Sequence, residues 1–344
     1  MNISEYVKKY DPENQFNVLI KTYEQIEFAW NNKFDLSSLK NKKFNSVIVS
    51  GLGGSAISAD LMQNYLRSEI KIPFIVNRNY FLPSFADENT LVVVSSYSGN
   101  TEETVEVFNS ALSKKCKMFC ITTGGKVEKI ALQNNIPIIK VLPGFQPRYS
   151  LGLSFFSLLK ALQDIELIPN QNNIVNQIVE LWKKKGIEYS QENNNAIKLA
   201  EELLGFIPTI YSAADLTSAV GYRFKCQFNE NSKLHAFHNV IPELNHNEII
   251  GWESFEEKQF HTKLITIWDD DYPTQIKKRF EITSELASKN GAEVIKLQSK
   301  EKEYKLRLMD LIYLEDWITY YTAVLRGFDP TEIENINILK QRLG

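Results

Sequence analysis

The stretch VVVSSYSGNTEET, from Val92 to Thr104, constrains the possible fold more than any other part of the chain. Its first residues, together with Leu91, form an apolar, β-branched run that is typical of a buried parallel strand. A short turn with four hydroxyl side chains and a glycine follows. Apolar residues then recur at helical spacing as far as Leu112. The hydroxyl groups therefore lie where a strand ends and a helix begins.

The turn between this strand and helix, residues 95–101, has the composition of a phosphate-binding loop. The first turn of a helix carries free backbone N–H groups and the positive end of the helix dipole. Hydroxyl side chains, and a glycine at position 99 that lets the backbone approach a ligand closely, would complete an anion site. The alternative is an ordinary helix cap, in which Asn100 pairs with Glu103. Four hydroxyl groups are more than such a cap needs.

A second loop of this kind follows the apolar run 46–50. Gly51, Gly53 and Gly54 predict a tight turn, and Ser55 opens a helical pattern. The arrangement is similar to the start of a dinucleotide-binding fold. However, the third glycine of that motif is missing from its place, and no acidic residue closes a clear second strand. A dinucleotide site is therefore the weaker interpretation, and the same geometry suits a sugar phosphate.

Strand-like and helix-like segments alternate along both halves of the chain, which predicts an α/β fold with parallel sheets. Ligands of such sheets bind beyond the carboxyl ends of the strands. Ser55, the 95–101 turn and residues 122–125 all fall at such ends, and their convergence strengthens the phosphate interpretation. The predicted strands are 46–50, 73–78, 91–96, 117–124, 137–143, 206–215, 263–270 and 292–298.

Composition narrows the classes of function. The net charge of −3 and the lack of a long basic run argue against a nucleic-acid partner. No signal-peptide pattern opens the sequence, and no apolar run approaches the about 18 residues of a membrane span. Three cysteines, Cys116, Cys120 and Cys226, fit reduced thiols better than disulfides, and the first two flank a strand-like core segment. Reduced thiols predict a cytoplasmic protein. We also expect no metal site, because Cys and His residues do not pair at metal-binding spacing.

Two further regions carry candidate chemistry. Arg148, in the loop before a helix, is either a solvated surface charge or a clamp for an anion or oxyanion. Residues 224–252 contain three of the four histidines and several glutamates, and residues 229–232 are predicted to interrupt a helix there. Each histidine alone is better explained as structural or exposed. Together, however, the stretch supplies a carboxylate and an imidazole, the usual general base and acid.

Seven segments together resemble the bifunctional phosphoglucose/phosphomannose isomerase family, whose members consist of two sugar-isomerase (SIS) domains. The resemblance covers nearly the whole chain, and it implies an N-terminal SIS domain at 1–150, linking helices at 151–200 and a C-terminal SIS domain at 201–344. The SYSGNT motif alone indicates only a SIS domain, whereas the later segments make the resemblance specific. The segments are GLGGSAISADL, SSYSGNTEET, QPRYSLG, FKCQFNENSK, NHNEIIGW, RGFDP and NILKQRL.

The resemblance also implies residue roles. Arg148 would stabilise an enediolate, Glu230 would move the proton between C1 and C2, and His246 and Lys340 would assist ring opening. In the family this histidine comes from the other subunit, which implies a homodimer. A threonine near the C-terminus is linked to action on both sugars, and Thr331 is the nearest candidate. The residues expected to bind the sugar phosphate are Gly53, Gly54, Ser55, Ser96, Ser98 and Thr101.

The implied activity is metal-independent and cofactor-free interconversion of glucose-6-phosphate or mannose-6-phosphate with fructose-6-phosphate. A first alternative is a SIS-domain regulator that binds a sugar phosphate without chemistry. Such a protein would have the phosphate loop but not a matched Glu230, Arg148 and His246. A second alternative is an enzyme that transfers or removes an amino group on a hexose phosphate, since such proteins carry similar loops.

Overall fold

The structure, a computed structural model, describes residues 3–257 and 261–343. Contacts divide the chain into two compact units, one of residues 22–180 and one of residues 1–21 with 181–344. The predicted domain limits at residues 150 and 200 stay a prediction. In the part of the chain that the structure describes, no helix has both the length and the apolar character needed to cross a membrane.

The helices and strands follow the alternation that the sequence predicts. The strands are β1 (Ser46–Ser50), β2 (Phe74–Asn77), β3 (Thr90–Ser95), β4 (Lys117–Thr122), β5 (Ile138–Lys140), β6 (Ile207–Ala213), β7 (Phe237–Ile241), β8 (Thr262–Trp268) and β9 (Glu293–Gln298). The helices are α1 (Ile3–Tyr10), α2 (Gln15–Ile20), α3 (Thr22–Asn31), α4 (Gly54–Tyr65), α5 (Glu102–Ser113), α6 (Gly125–Gln133), α7 (Leu151–Asp164), α8 (Asn172–Tyr189), α9 (Asn195–Glu202), α10 (Ser218–Ser232), α11 (Thr274–Lys289), α12 (Tyr304–Leu325) and α13 (Glu334–Leu343).

The unit of residues 22–180 is built on a five-stranded sheet with the strand order β2-β1-β3-β4-β5. Every pairing in it is parallel. All residues of β1 and β3 are buried, as expected for central strands covered on both faces. The loops that follow β1 and β3 therefore leave the same edge of the sheet side by side. This neighbourhood brings the glycine loop to the hydroxyl turn.

A hydrophobic cluster packs on this sheet and includes both cysteines of the first half. Cys116 and Cys120 are buried, which confirms that they belong to the core. Burial raises the pKa of the Cys120 thiol to about 12. A thiol in such surroundings stays protonated and unreactive at neutral pH.

The other unit contains a four-stranded parallel sheet with the order β7-β6-β8-β9. Its edge strand β7 falls in the histidine-rich stretch and was not predicted from the sequence, because polar residues interrupt its apolar pattern. The long helix α12 supplies much of the core, with Trp317 and its aromatic neighbours fully buried. The predicted α/β class with two parallel sheets is confirmed.

Candidate functional site

The glycine loop after β1 lies against two other loops of its unit. A Cβ atom on Gly51 would be 2.7 Å from the carbonyl oxygen of Ser95, and one on Gly54 would be 2.6 Å from that of Pro147. Both contacts are with backbone, so a larger residue at either position would force the neighbouring backbone to move. Ser55, in the first turn of α4, accepts a hydrogen bond at 3.1 Å from the backbone N–H of Tyr97. The loop therefore joins the hydroxyl turn to the loop that carries Arg148.

The hydroxyl turn, residues 95–101, is held by its own side chains. The hydroxyl of Ser96 lies 3.0 Å from that of Thr101 and accepts a hydrogen bond at 3.1 Å from the N–H of Gly99. Gly99 has a φ of +68°, and a Cβ there would collide with the carbonyl oxygen of Gly124. Ser98 is exposed, with its hydroxyl 3.2 Å from the N–H of Asn100. The turn thus contains one exposed and three partly or fully buried hydroxyls before α5.

The alternative of an ordinary helix cap formed by Asn100 is wrong. Thr101 occupies the N-cap position of α5, and its side chain makes no capping hydrogen bond. The Asn100 amide instead donates to the carbonyl of Ser98 at 3.2 Å and accepts from the N–H of Lys126 at 3.1 Å. The side chain therefore braces the turn from outside rather than closing the helix.

Arg148 lies in a single 3-10 turn, Pro147–Tyr149, directly before α7. The residue is only 5% exposed, so the interpretation as a solvated surface charge is wrong. The guanidinium carbon lies 5.3 Å from the centre of the Tyr149 ring, a distance typical of a cation–π contact. Gly54, the first residue of α4, packs on the carbonyl of Pro147. Arg148 therefore directly follows a residue that contacts the N-terminus of α4. A helix N-terminus with a neighbouring arginine favours an anion.

One residue of this region, Tyr97, was not predicted from the sequence to belong to the site. Its carbonyl accepts two hydrogen bonds from Thr123, from the N–H at 3.0 Å and from the hydroxyl at 2.7 Å. Its own hydroxyl reaches the loop after β5, where it contacts Leu142 and Phe145. The signal in the sequence was one aromatic residue in the middle of an otherwise small and polar turn.

In the other unit, Glu230 lies in the last turn of α10 and is half-buried. The predicted interruption of this helix at residues 229–232 is wrong. Asn231 and Ser232 are fully buried because both bind Thr319 of α12: the Asn231 amide donates to its hydroxyl at 3.0 Å, and the Ser232 hydroxyl donates to its carbonyl at 2.7 Å. These contacts extend the helix and fix the turn that carries Glu230.

The histidine-rich stretch separates into structural and exposed residues. The Nε2 atom of His238, in β7, lies 2.7 Å from the Ser212 hydroxyl, and burial lowers the pKa of this imidazole to about 4. His238 is therefore neutral at physiological pH. Glu248 accepts hydrogen bonds from Tyr211 at 2.8 Å and from the Asn239 amide, so its carboxylate is engaged within the fold. His246 is exposed at the end of a 3-10 turn.

The two C-terminal candidates differ in burial. Lys340 lies on α13, all of whose residues with a described burial are at least partly exposed. Thr331 is only 1% exposed, and its backbone N–H donates to the Asp329 carboxylate at 2.7 Å.

The predicted site residues fall into two groups. The structure brings one group to a single sheet edge next to the Arg148 loop: Gly53, Gly54, Ser55, Ser96, Ser98 and Thr101. Glu230, His246 and Lys340 belong to the other unit.

Comparisons with known proteins define the class. The SIS domain family matches residues 38–151, and the bacterial phospho-glucose isomerase C-terminal SIS domain family matches residues 192–343. The chain is thus a protein with two SIS domains. A hypothetical protein from Thermus thermophilus has the same fold, with a TM-score of 0.74 at 14% identity, over 99% of this chain and 94% of that one.

Curated relatives define the family. A bifunctional phosphoglucose/phosphomannose isomerase of Caldicellulosiruptor bescii is 36% identical over 93% of this chain and 96% of its own length. A relative of the same name from Aquifex aeolicus is 33% identical over 94% of this chain and 98% of its own. The chain belongs to the bifunctional phosphoglucose/phosphomannose isomerase family.

Proposed function

We propose that the protein is an aldose–ketose isomerase that interconverts glucose-6-phosphate and mannose-6-phosphate with fructose-6-phosphate. Relatives named bifunctional phosphoglucose/phosphomannose isomerase match the chain over more than nine-tenths of its length. The observation that carries the proposal is the sheet edge in residues 22–180, where hydroxyl turn, glycine loop and buried Arg148 occur together. This set fits a phosphorylated ligand on which negative charge develops during reaction.

In the proposal the phosphate is held by the hydroxyl turn and the glycine loop. Ser55, Ser96, Ser98 and Thr101 would donate hydrogen bonds to its oxygens, and the backbone of Gly53 and Gly54 would approach it closely. The phosphate is remote from C1 and C2, so its binding energy would serve to orient the reacting carbons.

The reaction moves one proton between neighbouring carbons. Glu230 would remove the proton from C2 of the open-chain aldose, and the C–H electron pair would form the C1–C2 double bond of an enediolate. The carbonyl electron pair would move onto O1, and return of the proton to C1, with transfer of the O2 proton to O1, gives the ketose. Arg148 would stabilise the negative oxygen through the positive charge and N–H donors of its guanidinium. Since the two aldoses differ only at C2, one base could serve both if the open-chain substrate rotates before proton transfer.

The remaining roles follow from the resemblance. His246 and Lys340 would open the sugar ring, with His246 contributed by the partner in a homodimer, and Thr331 is the candidate for action on both sugars. The exposed position of His246 is compatible with a role at a second subunit. We also propose that the protein works in the cytoplasm, without a metal or cofactor, and with a sugar phosphate rather than a nucleic acid or membrane as its partner.

The first test is an assay of the purified protein with fructose-6-phosphate in the presence of EDTA, in which glucose-6-phosphate and mannose-6-phosphate are measured separately. We expect both products. A single product would restrict the specificity to one aldose. If neither appears while fructose-6-phosphate still raises the melting temperature, the protein is a sugar-phosphate-binding regulator and the proposal is wrong.

A second test addresses the base. Glu230→Gln keeps the shape of the side chain but removes the carboxylate, and we expect kcat to fall by about a hundredfold or more. Glu243→Gln is a matched control, because Glu243 lies in the same histidine-rich stretch and is exposed. Isomerisation that survives Glu230→Gln would show that another group moves the proton.

A further inference from the structure

Tyr97 connects the hydroxyl turn to neighbouring loops through both its backbone and its side chain. Its backbone N–H binds the Ser55 hydroxyl after β1, and its carbonyl accepts from Thr123 after β4. Its hydroxyl donates to the carbonyl of Leu142 at 2.8 Å and accepts from the N–H of Phe145 at 3.0 Å, both in the loop after β5. Together with its own position after β3, this residue joins the loops at four of the five strand ends.

The loop bound by the Tyr97 hydroxyl leads directly to Arg148. Phe145 precedes it by three residues, and the segment between them is short and already folded: the N–H of Tyr149 donates to the carbonyl of Gln146 at 2.8 Å. A displacement of Phe145 would therefore be passed on to the arginine. At its other side, the same loop rests on Gly54 through the carbonyl of Pro147.

We infer that Tyr97 is a positioning residue, which sets the distance between the phosphate-binding turn and the guanidinium of Arg148. The inference rests on the proposed function, in which the turn holds one end of the substrate and Arg148 faces the other. Because the substrate has a fixed length, the two protein groups must be held in register. The Tyr97 hydroxyl makes this connection with two hydrogen bonds that are independent of the ligand.

The test compares Tyr97→Phe with the wild type. The variant keeps the ring and the backbone contacts but loses both hydroxyl bonds to the loop. We expect kcat to fall about tenfold or more, since displacement of about 1 Å in a catalytic group costs up to a hundredfold. The KM for fructose-6-phosphate should change less than about threefold, because the phosphate ligands themselves are retained. Amide hydrogen exchange of Phe145 should become faster, because its acceptor is gone.

Two comparisons make the test specific. Tyr23→Phe removes a tyrosine hydroxyl from α3 of the same unit, where it contacts Glu24 at 3.5 Å, and should leave kcat unchanged. In an Arg148→Lys background, Tyr97→Phe should add little further loss, since both changes affect one interaction. Losses that multiply independently would contradict a role through Arg148.

The outcomes separate this inference from the proposed function. A wild-type protein without turnover refutes the proposed function and the inference with it. An active wild type whose Tyr97→Phe variant keeps its kcat, or loses affinity rather than rate, refutes only the inference. An active wild type with the lowered kcat, nearly unchanged KM and non-additive double variant supports both.

Discussion

A methyl group added at Gly54 tests how strictly the fold sets the position of Arg148. The new Cβ atom in Gly54→Ala would lie 2.6 Å from the carbonyl oxygen of Pro147 and 2.7 Å from its carbonyl carbon, where ordinary contact begins at 3.4 Å. Gly54 lies in helix α4, and its φ is outside the left-handed region, so the backbone itself accepts alanine. The loop before Arg148 must therefore move by about 0.8 Å to relieve the contact.

The displacement of the loop that carries Arg148 should lower the catalytic rate. Misplacement of a catalytic group by about 1 Å costs up to about a hundredfold, so we expect kcat to fall by about ten- to a hundredfold. This corresponds to about 1.4–2.7 kcal/mol of lost transition-state stabilisation. The assay is steady-state isomerisation of fructose-6-phosphate, with the melting temperature measured on the same preparations to separate misplacement from unfolding.

A matched control is available in Gly251→Ala, because a Cβ at Gly251 meets nothing within 4 Å. This variant should keep the wild-type kcat. The reasoning is refuted if a folded Gly54→Ala protein keeps its full kcat, because the loop that carries Arg148 would then tolerate the displacement. An equal loss in both variants would point to a general effect of replacing glycine.

Three further changes have defined outcomes. Ser98→Ala should raise KM about tenfold with little effect on kcat, as expected for one lost hydrogen bond to a charged phosphate; a selective loss of kcat would contradict this role. The pKa of His238 is about 4 in the folded state and near 6.5 in the unfolded state, so protonation favours unfolding as the pH falls. Between pH 6.5 and pH 4 the wild type should lose up to about 3 kcal/mol of stability relative to His238→Gln. Denaturation midpoints of the two proteins that change equally with pH would disprove this. Burial raises the pKa of Glu315, in α12 near Arg223, well above 4.5, so the folded state binds the proton more tightly and stability should fall as the pH rises above 4.5. Glu315→Gln should remove this dependence of stability on pH, and the variant should be more stable than the wild type at pH 8. Thermal denaturation of both proteins at pH 4.5 and pH 8 measures the difference.

The strands and the hydroxyl turn were predictable because their determinants are local. β1 and β3 each contain a continuous apolar run, Val47–Val49 and Leu91–Val94, that only a strand covered on both faces can bury, and the structure buries every residue of both strands. The convergence of Ser55 with the 95–101 turn followed from parallel pairing, since neighbouring strands then end at one edge. The functional roles of Glu230, His246 and Lys340 came from the resemblance and stay predictions.

The errors lie where a residue depends on partners far away in the sequence. Residues 229–232 have the polar composition of a loop, yet α10 continues through them because Asn231 and Ser232 bind Thr319, almost ninety residues later. The polar groups of that turn are satisfied inside the protein rather than by water, and no local pattern announces such a partner.

The sequence by itself determined that this chain has an α/β fold with two parallel sheets and a glycine- and hydroxyl-rich turn at one strand end, because buried β-branched runs and small polar turns encode these features locally. Only the tertiary structure decided that Arg148 is buried beside the glycine loop and that the Tyr97 hydroxyl binds the segment leading to it. Burial of a charge and hydrogen bonds between loops depend on which segments the fold brings together. The spacing of residues along the chain does not contain that information.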